Sequence, residues 1–527
     1  MKKRIAPSLW LKSKGYRHLT NKLNVSKHGR FFISRITNED YVKRHSFFPL
    51  LHSVIYEPRY KKIDFSGNRS HKKVNKKTGR YERIGKPRPL HYATHVDSLI
   101  FSYYGQLLYE EYKNKLDLDK NLSDSIIAYR KIPDPDNPPK NKGTIHFAKE
   151  AFLEISQRTY QEETVVLKFD IQSFFNSINH DFLLNQWKKI LEIKDDEKLP
   201  EDHYKVYKAV TTFSYVQLED FKLATDRTKS KVSFDEKKLA ECRKKGVLAF
   251  FQTPKEFRDY LKAKKIRLYR YPFRDKITNI PIGIPQGLPI SSVLANIYLY
   301  DFDIKVVDYV VHKLKGYYRR YSDDMIVVVK KEYLDDIYNF MTKEIKNSKV
   351  IMSEEKTEKF LFKKVNHPKL GETIKSFQIL ETTVKENIPL TFLGFEFYGY
   401  QTLIKSGNLA KFYRRMISAV KIKSKHAKKF AERNPDEPLF IRKRQLYKLY
   451  TQYDLRKTKS RRRYAFLREN ERGYFEYTHK KNKDIPSSNY LTYVTRASML
   501  MNEPKIKNQL RNHIRIFKEA VRKHLNK

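Results

Sequence analysis

The sequence predicts a mixed α+β protein that ends in a basic, helical quarter. Three observations predict it. Apolar, β-branched runs at TVVLKFDI (164–171) and MIVVV (325–329) have the composition of buried strands. Apolar residues recur at three and four over FAKEAFLEISQRT (147–159) and through the long run ending in SSVLANIYLYDFDIKVVDYVV (291–311), which is helical spacing. Beyond about residue 408 the spacing stays helical, as in NQLRNHIRIFKEAVRKHL (508–525), and residues 401–527 hold 34 Lys and Arg against 10 Asp and Glu.

The elements follow in order. Residues 1–80 read as a basic N-terminal extension with a polar loop at NRSHKKVNKKTGR (68–80). KPRPLHYATHVDSLIFSYYGQLLYEEY (86–112) turns helical, and IPDPDNPPKNKG (132–143) is a loop on its Pro, Asp and Gly content. After the helix at 147–159 and the strand at 164–171 comes a highly charged stretch, 185–280, that reads as mostly helical. PIGIPQGLP (281–289) is a glycine-proline loop feeding the apolar helix. YYRRYSDDMIVVV (317–329) reads as strand–turn–strand, and SFQILETTV (376–384) and LTFLGFEFYGYQTLIK (390–405) as further strands. The expected division is 1–80, 81–407 with the charged insertion, and an all-helical 408–527.

At 527 residues the chain is too long for one core, so two to four units are expected. Hydrophobic residues at 40% are enough to build them. The 109 Lys and Arg against 60 Asp and Glu leave a net +49, which self-repels unless a polyanion is bound. Nucleic acid is the natural partner and an anionic membrane surface the competitor. The 37 Tyr and 33 Phe favour nucleic acid, whose bases stack on rings, although any single ring is the better bet as core. One cysteine, Cys242, excludes a disulfide framework and a multi-thiolate zinc site. No apolar run approaches the ~18 residues of a membrane span. The start, MKKRIAPSLWLKSKGYRHL, lacks a signal peptide's apolar stretch, so the chain reads as cytosolic with no membrane partner. There are no internal repeats.

Three aspartates carry the chemistry. Asp170 ends the strand VVLKFD, and Asp323 and Asp324 sit side by side before MIVVV. Ser-Asp-Asp alone is ordinary turn chemistry. Adjacent carboxylates at the mouth of a buried strand are nevertheless costly unless something positive compensates them. A carboxylate at one strand end and a pair on a neighbouring hairpin can converge to hold two divalent cations ~4 Å apart for in-line phosphoryl transfer. Hard oxygen ligands favour Mg²⁺ over zinc.

Further blocks stand in a fixed order around these aspartates. FDIQSFFNSINH (169–180), IPQGLPISSVLANIYL (284–299), YSDD (321–324), SEEKTEKFLF (353–362), FLGFEF (392–397) and NLAKFYRRM (408–416) together resemble the successive motifs of reverse transcriptases, over roughly residues 80–420. The resemblance implies a right-hand polymerase, with fingers and a βαββαβ-like palm to about residue 400 and then a helical thumb-like domain. It implies catalytic Asp170, Asp323 and Asp324, two Mg²⁺ ions held by these and by Ile171, and deoxynucleoside triphosphates as substrates. Ile171, Phe175, Gln286 and Gly287 fall at nucleotide-binding positions. Phe175 is the ring that would clash with a 2′-hydroxyl. Lys356 would neutralise or protonate the departing pyrophosphate; as a lone lysine it reads equally as a solvated one. Lys86, Arg88 and Arg130 align loosely with basic residues that meet the triphosphate. Tyr321 is expected to pack beside the turn and Ser322 to face the primer terminus, with Leu393 and Gly394 in the strand pair that grips the primer.

Absences narrow the type. The tail has no acidic cluster for an RNase H site, the single cysteine excludes a Cys-rich endonuclease appendage, and no V-T-G triplet of the retron kind occurs there. SDSIIAYRKIPDPDNPPKNKG (123–143) replaces the intron-type S-x-G-F-R-P. That block, the long spacer before the P-Q-G loop, the helical tail and NYLTYVTRASML (489–500) resemble the bacterial defence-associated branch, the abortive-infection and unknown-group enzymes. The resemblance then implies phage defence in the bacterial cytoplasm, an RNA template or associated non-coding RNA, a DNA product, and for some members homo-oligomers, weak templating or a protein hydroxyl as primer. A retroelement or group II intron-type enzyme copying a genuine RNA template is the alternative. An inactive RNA-binding scaffold and an RNA polymerase of the same fold stand further off. The three aspartates argue against the first and Phe175 against the second.

Overall fold

The computed structural model describes residues 5–525 apart from 59–60, 63–68, 71, 75–78, 80, 225–230, 276, 369–370, 442, 452–458, 461–462, 470–474, 482–484 and 487–488. The polar loop expected at 68–80 lies in large part outside them.

Along the chain, β1 (Leu50–Pro58) pairs antiparallel with β2 (Gly85–Tyr92). Helix α1 (His95–Leu116) starts where the Thr94 hydroxyl accepts the Asp97 N–H, a side-chain cap. Helix α2 (Thr144–Gln161) leads into β3 (Thr164–Asp170), whose TVVLKFD is β-branched and almost wholly buried. Helix α3 (His180–Ile190) is capped by Asn179. There follow β4 (Tyr215–Gln217), α4 (Ser291–Tyr298) and α5 (Tyr300–Val306). The hairpin of β5 (Tyr317–Tyr321) and β6 (Asp324–Lys330) precedes α6 (Leu334–Asn347). Strands β7 (Glu358–His367), β8 (Gly371–Ile379) and β9 (Val384–Glu386) come next, then β10 (Leu390–Phe392), β11 (Phe395–Phe397) and β12 (Thr402–Ile404). The long helix α7 (Ser406–Arg433) opens the basic quarter.

The centre is one six-stranded antiparallel sheet in the order β5-β6-β3-β7-β8-β9. Both faces are covered, which is why β3 and β6 read as unbroken apolar runs rather than alternating ones. Val165, Leu167, Phe169, Met325 and Val327 bury one face in a core shared with α1, α3, α4, α5 and α6. Val166, Ile326, Val328, Phe360 and Phe362 bury the other in a core shared with α2 and the start of α7. Each such side chain contributes on the order of 1.5–3 kcal/mol by burial. In α7, Phe412, Met416 and Val420 recur at four and face inward, and the last two join a core with Phe517 and Val521.

Three expectations need correction. The first eighty residues are no separable extension, because β1 pairs with β2 across that boundary. Residues 185–280 are not mostly helical. Between the helices Glu201–Thr211, Glu236–Lys244 and Pro254–Lys262 lie β4 and the short strands Lys222–Ala224 and Lys231–Phe234. Strand β4 pairs in parallel with β1, Leu50 opposite Tyr215, so its partner is remote in sequence and no local periodicity announces it. The basic quarter is not all helical either: Arg463–Glu469 pairs antiparallel with Phe475–Lys481. Phe475 and Tyr477 two apart in FEYTHKK, with the β-branched Thr478, suit a strand, a signal that its charges obscure. Among the described residues no helix is long and apolar enough to cross a membrane.

Candidate active site

The register of the central sheet brings the aspartates together. Asp324, the first residue of β6, lies directly opposite Asp170, the last of β3. Tyr321 pairs with Asp324 across the hairpin, leaving Ser322 and Asp323 as a two-residue turn. Ser322 holds φ +63°, a left-handed conformation costing on the order of 1–3 kcal/mol for a residue other than glycine. Antiparallel bridging of Ile171 to Met352, and the Ser353 N–H on the Asp170 carbonyl at 2.8 Å, bring the next block alongside. As a result the Lys356 ammonium is ion-paired with Asp170.

The electrostatics are those of under-compensated acids. Burial pushes the Asp323 carboxyl above the ordinary carboxylate range and Asp170 adds to it, while hydrogen bonds from its own N–H and from Ser322, with Lys356, pull the other way. Burial also raises Asp324, opposed by Lys168 and reinforced by Asp323 and Asp170. The donors are all oxygen, three carboxylates and the backbone of a buried Ile171, which suits Mg²⁺. The residues fit such an ion by chemistry and by their uncompensated charge. They are not a preformed cage: among the described residues no three His, Cys, Asp or Glu side chains already converge on one point.

The loop carrying Gln286 and Gly287 is knitted to the block around Asp170. The Ile284 N–H donates to the Phe175 carbonyl at 2.7 Å, and the Gly283 N–H to that of Ile178 at 2.6 Å. The Gly283 carbonyl lies 2.7 Å from His180 Nε2 and accepts from the Tyr271 hydroxyl. Behind the loop, the His91 N–H donates to the Gln286 carbonyl at 2.8 Å. Gly287 holds φ +112°, and a Cβ there would stand 2.7 Å from the His91 carbonyl oxygen, so only glycine fits. His91 packs among Phe213, Tyr215 and Phe273, and so the 185–280 stretch buttresses this loop. Phe175 is half-buried and its ring lies against Phe174.

The other expected residues divide. Lys86 and Arg88 are exposed on β2, which runs on to His91 behind Gln286. Leu393 and Gly394 form the two-residue turn between β10 and β11, both at positive φ, as a tight hairpin of that length requires. Tyr321 packs against the core beside the turn. Two expectations are overturned. Ser322 is only 4% exposed and its hydroxyl accepts from Tyr129 at 3.3 Å, so it does not face an open cleft. Arg130 is not a free triphosphate ligand: its guanidinium donates to the Ser123 and Ile126 carbonyls and the Ser123 hydroxyl, satisfying the end of the Lys120–Ser125 helix. Sequence reasoning missed Lys168, whose place two residues before Asp170 puts it on the same strand face, and Tyr129, which only its contact with the turn reveals.

Residues 244–397 match the family described as "Reverse transcriptase (RNA-dependent DNA polymerase)", a span that includes the P-Q-G loop and YSDD and begins after Asp170. That stretch is similar to a reverse transcriptase domain. Its fold is the right-hand polymerase fold. No curated protein matches the chain. Among solved structures, apo telomerase from Candida tropicalis truncated from its C-terminal domain aligns with TM-score 0.36 and 10% identity over 72% of this chain and 60% of that one. Telomerase from Candida albicans in complex with a TWJ fragment of telomeric RNA aligns with TM-score 0.34 and 13% identity over 75% and 53%. The chain thus spans 53–60% of the length of these two structures.

Proposed function

We propose that the protein is a reverse transcriptase, a DNA polymerase, RNA-directed or weakly templated, that joins deoxynucleoside triphosphates by two-metal phosphoryl transfer in bacterial antiphage defence, with an associated non-coding RNA. The observation that carries the chemistry is the pairing of Asp170 with Asp324 in register, beside a turn that presents Asp323. Asp170, Asp323, Asp324 and the Ile171 backbone would hold Mg²⁺, which when bound supplies an activated attacking hydroxyl and neutralises the leaving pyrophosphate.

The chain's own residues set up the rest. Lys356, ion-paired with Asp170 in this structure, would neutralise or protonate the leaving pyrophosphate. Phe175 is tied through its carbonyl to Ile284, which joins the residue whose ring would exclude a 2′-hydroxyl to the Gln286–Gly287 loop. Lys86 and Arg88 supply positive charge on the adjoining strand, and Leu393–Gly394 offers the primer a turn fixed on its own small sheet. The excess of basic residues after residue 401 supports nucleic acid as partner. The defence role is supported by the AYR block and the tail.

The test uses protein purified with whatever nucleic acid it carries. It is given Mg²⁺ and each labelled deoxynucleotide, singly and mixed, beside Asp323→Ala/Asp324→Ala, and products are sequenced after protease and nuclease treatment. Polymer from the parent alone supports the reading, and its sequence reports the template or its absence. No polymer, even with the native RNA and an extract of infected cells, would move the scaffold reading to the front. A gene neighbourhood of intron ends instead of defence genes would favour the retroelement type.

A further inference from the structure

A buried polar network lies behind the turn that presents Asp323, on the sheet face away from Asp324. Arg320 pairs with Met325 in the hairpin, so strand alternation points it into the helical core with Tyr318. Arg320 and Asp303, from α5, are both 0% exposed. Arg320 Nε donates to Asp303 Oδ1 at 2.8 Å, Nη2 donates to Oδ2, and the Tyr318 hydroxyl donates to Oδ1 at 2.9 Å. The remaining nitrogen, Nη1, donates to Asn296 Oδ1 and to the Ser322 carbonyl, each at 3.2 Å. Asn296 Nδ2 in turn donates to the Ala128 carbonyl at 3.0 Å, next to the Tyr129 whose hydroxyl meets Ser322 from the other side.

This wiring has two physical consequences. A planar guanidinium held by both oxygens of one carboxylate has its third nitrogen fixed in space, so the Ser322 carbonyl is located by α5 and α4, not by the hairpin alone. The strained φ of Ser322 needs such an over-determining environment. Moreover, Asp303 balances the charge of Arg320, so the anchor grips the turn without neutralising the carboxylates on its far side.

We propose that Asp303, Arg320 and Asn296 are positioning residues that hold the Ser322–Asp323 peptide in the orientation needed to bind a divalent cation, while leaving the negative charge of Asp323 and Asp324 to that cation. The proposal rests on the polymerase reading above for its role in turnover, but metal binding tests it independently. The opposing view is a plain core ion pair, which an apolar pair of similar volume would replace without loss.

The experiment compares the parent with Arg320→Met/Asp303→Leu, Arg320→Lys and Asn296→Ala. It measures Mn²⁺ binding by electron paramagnetic resonance without nucleotide, the Mg²⁺ dependence of polymerisation, kcat and KM for deoxynucleotide, and thermal melting. The double variant is expected to melt near the parent yet bind Mn²⁺ about tenfold or more weakly, with kcat falling and KM nearly unchanged. Arg320→Lys, which cannot reach Asp303 and the turn together, should do the same, and Asn296→Ala should give a smaller shift of about threefold. Folded variants with parental Mn²⁺ affinity and kcat would overturn the proposal, and if the double variant does not fold, the two single variants decide it. A parent that binds Mn²⁺ in an Arg320-dependent way but makes no polymer would sink the polymerase reading and leave the anchor standing.

Discussion

The β5–β6 hairpin carries buried aspartate chemistry on its two sides, and the sides are solved in opposite ways. Toward the helical core, Asp303 is matched by Arg320 and Tyr318, and nothing is left for a ligand to supply. Burial alone would lower the Arg320 pKa, but Asp303 more than offsets it and holds the guanidinium charged. At the turn, Asp323 and Asp324 are half-buried, yet their nearest bases are Lys168 and Lys356, both shared with Glu358 or Asp170. On the proposed reading, the complete ion pair is structural and the incomplete one is left for a charge from outside. The contrast separates an acid matched from within from the two proposed to bind a cation more sharply than burial does.

The largest expected effect breaks the incomplete side. Asp323→Ala/Asp324→Ala should lower the polymerisation rate by about 10⁴-fold or more, roughly 5 kcal/mol of transition-state stabilisation, while the melting temperature holds or rises. A variant that loses activity only in proportion to lost folded protein would mean these acids are structural after all. Breaking the complete side should cost stability as well as the metal affinity and kcat expected of the anchor. Arg320→Ala strands Asp303 without a partner, at a cost of about 3–5 kcal/mol, and denaturant titration should find most of that loss in stability.

The contrast was only half legible in the sequence. Asp170, Asp323 and Asp324 stand out because acids at strand ends interrupt an apolar pattern, and Lys356 because it follows them in a fixed order. Arg320 hides in YYRRY, where it looks like one more base in a chain of net +49. Its period-2 place beside Tyr318 was the available clue, since a charge on a buried strand face demands a partner. Asp303, that partner, sits in an acidic turn of a helix where carboxylates are unremarked. Arg130 failed the other way: a base before the first catalytic block looked free, and only the position of the Ser123 and Ile126 carbonyls shows its occupation. The pairing of β4 with β1 and the His91 contact behind Gln286 escaped for a shared reason, since both join segments far apart in the chain.

A milder perturbation tests whether the loop tied to Asp170's block belongs to the same site. Phe175→Ala keeps the Ile284 bond, which uses only the Phe175 carbonyl, and removes the ring. The preference for deoxy- over ribonucleotides, as the ratio of their kcat/KM values, should fall about tenfold or more, roughly 1.4 kcal/mol. An unchanged ratio in an active variant would make Phe175 an ordinary packing residue.

The smallest effect is also the cleanest reading of the two sides. Because the folded-state pKa values of Asp323 and Asp324 are raised, the native protein binds protons there more tightly than the unfolded chain does. Stability from this pair is therefore present below the unfolded carboxylate value of about 4 and declines as pH rises through the raised native values. In chelator, Asp323→Asn/Asp324→Asn should consequently melt above the parent by on the order of a degree or more at neutral pH, with the gap closing on acidification. Adding Mg²⁺ or Mn²⁺ should stabilise the parent and not the variant, reversing the order. Asp303→Asn gives the control, since its carboxylate serves Arg320, and that variant should be destabilised at neutral pH with or without metal. If the Asn pair melted below the parent in chelator at neutral pH, Asp323 and Asp324 would be compensated from within, and no charge would be missing for a cation to supply.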